Sequence, residues 1–105
     1  MHQEDFSIST SGQGLIEITR QVNDIVYESK KEEGLCNVFL KHTSASLLIQ
    51  ENASPEVMLD LNNFFRDLVP EKANYLHSLE GPDDMPAHIR NALTDTSLLI
   101  PIKKR

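Results

Sequence analysis

Leu35-Cys36-Asn37-Val38-Phe39-Leu40-Lys41, then His42-Thr43-Ser44-Ala45-Ser46, then Leu47-Leu48-Ile49 is the stretch on which the fold turns. The first run is apolar on both faces and carries Val and Phe, which reads as a buried strand. The last run is strand-like as well. The five residues between them are small and hydroxyl-rich, the composition of a tight polar bend. The bend's hydroxyls and free N–H groups could hold a phosphate or sulfate. Spacing alone favours the plainer reading, in which Thr43, Ser44 and Ser46 satisfy the bend's own backbone. By itself, His42 is more often a hydrogen-bonded structural residue than a ligand.

Helical periodicity flanks this stretch on both sides. Upstream, Ile18, Val22, Ile25 and Val26 share one helix face, and Gly34 is a stop signal beyond it. The charges of that helix, Arg20, Asp24, Glu28, Lys30 and Lys31, read as a solvated face. Downstream, Ser54-Pro55-Glu56 is a strong helix start: a capping residue, a proline suited to the first helical position and an acid at the positive end of the dipole. Val57, Met58, Leu61, Phe64, Phe65 and Leu68 form a broad apolar face assigned to core packing, and Pro70 ends the helix. Farther out, residues 4–10 alternate, with Phe6 and Ile8 on one side, as in a half-buried strand. Ser97-Leu98-Leu99-Ile100-Pro101-Ile102 reads as a last strand, its proline suited to an edge or bulge. The expected fold is α+β: a single domain over residues 1–105, with a mainly antiparallel or mixed sheet, two longer helices and one short helix.

Composition narrows the function classes. A chain of 105 residues is one small domain with a thin core, for which oligomerisation is a natural supplement. A net charge of −6 argues against nucleic-acid binding, since phosphates need compensating Lys and Arg. No apolar segment reaches bilayer length, so no membrane partner is expected. The first residues, Met-His-Gln-Glu-Asp-Phe, show no basic region followed by an apolar run, so no signal peptide is expected. One cysteine, Cys36, fits a reducing, cytoplasmic compartment. With no cationic neighbour in sequence it reads as an inert core thiol.

The chemistry concentrates between Tyr75 and His88. This stretch holds two of the four histidines, His77 and His88, the pair Asp83-Asp84 and a Gly81-Pro82 turn. Asp83 or Asp84 can cap a short helix that tolerates Pro86 in its first turn and carries His88 one turn in. Arg90 lies on another face, as a surface charge or an anion contact. With His42, the three imidazoles and nearby carboxylates suit a divalent metal, zinc above all. The competing reading is that the three histidines never meet.

The segments His42-Thr-Ser-Ala-Ser46, Glu51-Asn52, Tyr75-Leu-His77, Gly81-Pro-Asp-Asp-Met85 with Ala87-His88, and Ser97-Leu-Leu-Ile-Pro101 together resemble the YjbQ-like family of small uncharacterised proteins. The resemblance runs from about Gln13 to Ile102. Some members are described as secondary thiamine-phosphate synthases, which join a pyrimidine diphosphate to a thiazole phosphate and release pyrophosphate. It implies an α+β fold, a homotrimer, and a subunit-interface site holding a metal or an anion. His42, His77 and His88 would be the metal ligands, with zinc favoured and magnesium possible. Asp83 and Asp84 would be catalytic, orienting a histidine or acting as a base. Thr43, Ser44 and Ser46 would bind a small phosphorylated molecule or anion. The alternatives are a non-catalytic metal- or anion-binding trimer and a zinc-dependent hydrolase. The family pattern continues past its Ile-Pro-Ile strand with a Gly-containing turn, a Leu-Gly-Thr-Trp-Gln segment and further strands. These have no counterpart in the 105 residues, which contain no Trp.

Overall fold

The structure, a computed structural model, describes residues 1–42, 44–50, 53–70, 75–76, 81 and 84–103, with Asp84 placed by its backbone alone. The described residues form, in order, α1 (Thr19–Glu28), β1 (Gly34–Phe39), α2 (Pro55–Leu68), α3 (Asp84–Leu93) and β2 (Ser97–Ile102). The α+β class is as the sequence predicts. Strands β1 and β2 pair antiparallel, with Gly34 opposite Ile102 and Phe39 opposite Ser97.

The register sorts the sheet into two faces. Cys36, Val38, Leu98, Ile100 and Ile102 turn inward and are half-buried. Leu35, Phe39 and Leu99 turn outward and are 63–65% exposed. The expectation that this strand is buried on both faces is therefore corrected. Among the described residues each strand has one neighbour and the outer face has no covering layer. Pro101, inside β2 opposite Leu35, is tolerated because β2 has an edge where a missing N–H costs no ladder bond.

Two expected strands are also corrected. Residues 4–10 form no strand, and Phe6 is 42% exposed. Alternation provides a face, but a strand needs a partner for its N–H and C=O groups. Of Leu47–Ile49, Leu47 alone pairs, in an antiparallel bridge with Asp95. Its N–H donates to the Asp95 carbonyl at 2.6 Å and its carbonyl accepts from the Asp95 N–H at 3.0 Å.

Helix α1 presents Val22, Ile25 and Val26 on its half-buried face, as the periodicity predicts. It does not use Gly34 as its stop. Ser29 caps it, and Lys30 takes the left-handed conformation at φ 58° that closes the helix. Gly34, at φ 145°, opens β1 instead. Helix α2 starts at Pro55 after Ser54 and ends before Pro70, as predicted. Its inward stripe is narrower than expected: Val57, Met58, Leu61 and Phe65 are half-buried, whereas Phe64 and Leu68 are 59% and 54% exposed. Phe64 and Phe65 meet edge to face at 6.2 Å.

The best-buried point lies where α2 ends against α3. Val69 is 2% exposed and Pro86 is fully buried. Arg90 of α3 reaches this junction, and its Nη2 donates to the carbonyls of Phe65 at 3.3 Å and Val69 at 3.1 Å. Both carbonyls lie at the negative end of the α2 dipole, and that of Phe65 also accepts from the Val69 N–H at 2.9 Å. Arg90 is thus a helix-end cap, which corrects its reading as an ordinary surface charge. The Tyr75 hydroxyl closes the same end by donating to the Pro70 carbonyl at 2.6 Å.

Candidate functional site

The residues after β1 bend back on themselves at His42. The Ser44 backbone N–H donates to His42 Nδ1 at 2.9 Å. That bond fixes the tautomer of the neutral ring: Nδ1 accepts, so Nε2 carries the proton. His42 itself is exposed. Beside it, Lys41 Nζ pairs with Asp5 at 3.2 Å across two exposed side chains, a contact of roughly 0–1 kcal/mol that tethers the N-terminal segment loosely.

The bend is then fastened to α3. Asn91 Nδ2 donates to the Ala45 carbonyl at 2.5 Å. The Thr94 hydroxyl bonds the Ser46 hydroxyl and lies 2.8 Å from the Arg90 carbonyl. The Leu47–Asp95 bridge extends the junction by one residue. Asn91 stands three positions after His88, so both project from one side of α3. The bend carrying His42, Ser44 and Ser46 therefore docks on the side of α3 that carries His88, which is half-buried.

Of the expected site residues, the structure places His42, Ser44, Ser46 and His88, with Asp84 as the first residue of α3. Thr43, His77, Asp83 and the Asp84 side chain lie outside the described residues, as do Glu51 and Asn52. Among the described residues no group of three or more His, Cys, Asp or Glu side chains is arranged to hold a metal. Sequence reasoning missed Asn91 and Thr94 as the groups that hold the bend. For Asn91 a signal was available, since it follows His88 by three residues on the same helix; Thr94, just past the end of α3, had none.

The donor set can be tested against a metal at one position. A zinc-bound histidine ligates through a bare nitrogen and gives its other N–H to a supporting acceptor. His42 holds the opposite arrangement, accepting at Nδ1. Ligation through Nε2 requires the proton to move to Nδ1 and the Ser44 bond to break, a cost of about 1 kcal/mol. That is small beside metal binding, so the Ser44 bond is no barrier to ligation by His42. The hydroxyls of Ser44 and Ser46 would then supply polar surroundings.

Three comparisons bear on this arrangement. A family model described as UPF0047 protein YjbQ-like matches residues 4–105. A UPF0047 protein of Synechocystis sp. is 55% identical over 102 residues, covering 96% of this chain and 69% of that protein. UPF0047 protein YjbQ of Escherichia coli O157:H7 is 38% identical over 104 residues, covering 98% of this chain and 75% of that one. Among solved structures, an uncharacterised protein of the same family from Clostridium acetobutylicum superposes with a TM-score of 0.83 at 34% identity. It covers 94% of this chain and 75% of that one. A conserved hypothetical protein of Thermus thermophilus gives 0.77 at 33% identity, covering 90% and 71%. With the family model spanning nearly every residue and relatives of this identity covered over two thirds or more of their length, the chain belongs to the UPF0047 YjbQ-like family.

Proposed function

We propose that the chain supplies a divalent-metal site built from His42, His77 and His88, and that the site acts on a small phosphorylated molecule. The carrying observation is the docking of the 42–47 bend on the side of α3 that bears His88, through Asn91 and Thr94. It supports the reading by holding the bend that carries His42, Ser44 and Ser46 against the helix that carries His88. The leading reaction is of the thiamine-phosphate synthase kind, in which pyrophosphate leaves a pyrimidine diphosphate. A bound divalent ion supplies charge neutralisation at such a leaving group. Ser44, Ser46 and Thr43 hold the phosphate of the second substrate, and Asp83 or Asp84 orients a histidine or removes a proton. Three imidazoles favour zinc over the oxygen-loving magnesium. That preference supports hydrolysis by an activated water as the second reading. The active form in this proposal is a homotrimer in the cytoplasm.

The test is zinc binding by calorimetry to the 105-residue protein and to His88→Ala, with circular dichroism confirming equal helix content. Loss of one imidazole is expected to weaken affinity at least tenfold. Equal affinity in the two proteins would remove His88 from the site.

A further inference from the structure

The Thr94 hydroxyl fixes the direction of the bonds that hold the bend. It meets two groups, the Ser46 hydroxyl and the Arg90 carbonyl, the latter at 2.8 Å. A carbonyl only accepts, and a hydroxyl has one proton to give. Thr94 therefore donates to the Arg90 carbonyl and accepts from Ser46. The Ser46 proton is thus committed within the protein. What Ser46 keeps is its lone pairs, on a half-buried side chain that lines the same open cavity as Ser44.

A phosphate monoester dianion carries acceptors only. Ser46 can hold one only by turning its proton away from Thr94. Thr94 then either faces Ser46 lone pair to lone pair, or swings its own proton to Ser46 and leaves the Arg90 carbonyl. Either route gives up one hydrogen bond, which weakens the phosphate contact about fivefold. A ligand N–H or O–H meets Ser46 with no such loss. We infer that Thr94 is the specificity-determining residue of the bend: it holds Ser46 as an acceptor, so that the site favours a ligand donor over a phosphate oxygen at that position. The inference takes its ligand from the phosphate reading proposed above and adds which hydroxyl resists it.

The test is titration of methyl phosphate, at about pH 8 where the monoester is a dianion, into the 105-residue protein, Thr94→Val, Thr94→Ser, and Thr94→Val combined with Ser46→Ala. Thr94→Val is expected to bind about fivefold tighter than the unsubstituted protein, because Ser46 is released to donate. Adding Ser46→Ala removes the gain, and Thr94→Ser, which keeps the hydroxyl, binds as the unsubstituted protein does. A Thr94 that merely fastened the bend would give the opposite sign. Equal or weaker binding in Thr94→Val therefore overturns the inference and leaves the phosphate reading standing. Neutron diffraction from the ligand-free protein separates the two readings. A deuteron on Ser46 Oγ directed at Thr94 supports the inference even where none of these proteins binds methyl phosphate, an outcome that sinks the phosphate reading alone. A deuteron on Thr94 directed at Ser46 overturns the inference whatever binds.

Discussion

Ser54 stands at the first turn of α2 in the cap position, with extended backbone at φ −118° and ψ 123°. Its hydroxyl does not cap a backbone N–H. It donates instead to the Glu56 carboxylate, and this bond, with a second from the Glu56 backbone N–H, lowers the Glu56 pKa. A carboxylate whose folded pKa is depressed contributes stability that is complete above its unfolded value and is lost as pH falls through the folded value. Ser54→Ala is expected to move the Glu56 titration up toward an ordinary glutamate, read by carbon-detected NMR. An unmoved titration would show that the hydroxyl bond is not formed in solution. At this scale the sequence was informative about residue type and silent about partner. Ser54-Pro55-Glu56 announced a helix start, and the helix begins there, but nothing in the spacing showed that the hydroxyl would choose the side chain two residues on. Arg90 was misread for the same reason. Its partners, the Phe65 and Val69 carbonyls, are 25 and 21 residues away.

The helices show which elements could be read locally and which could not. Helix α2 carries its own boundaries, because proline both opens it and follows it. Strand β2 was legible from Ser97 to Ile102 through its alternation and paired as a strand. Residues 4–10 alternate as well, yet form no strand, since alternation says nothing of whether a neighbour exists. The angle between α2 and α3 was not legible at all. It depends on the contact of Val69 with its surroundings, the burial of Pro86 and the reach of Arg90 across the α2 terminus. Two charge-assisted bonds at a helix C-terminus give an expected loss of about 1–3 kcal/mol for Arg90→Met. The midpoint of urea unfolding checks it. Arg90→Lys, which keeps the charge and loses the planar fork, should recover part of the difference. A midpoint unchanged in Arg90→Met would mean that the junction is held without the Arg90 bonds, by Val69, Pro86 and the Tyr75 hydroxyl.

At the scale of the whole molecule, burial and helix formation part company. Helices α1 and α2 form without a single fully buried residue, and Val69 and Pro86 are the largest side chains that the described residues enclose completely. The radius of gyration is 15.8 Å, against about 13 Å for a compact chain of this length. The elements that sequence periodicity predicts are thus present, while the close packing that periodicity usually accompanies is only partly realised. An unfolded chain of 11.9 kDa exposes about 17,000 Å², so folding to 8573 Å² hides about three quarters of the surface that a compact domain of this mass would hide. The urea m-value scales with the area exposed on unfolding, so it should be about a quarter below that of a compact domain of equal size. Measurement at two protein concentrations separates the outcomes. A low m-value independent of concentration is the expected result. A full-sized m-value would show that the chain packs more closely in solution, and one that grows with concentration would show that copies of the chain cover one another's surface.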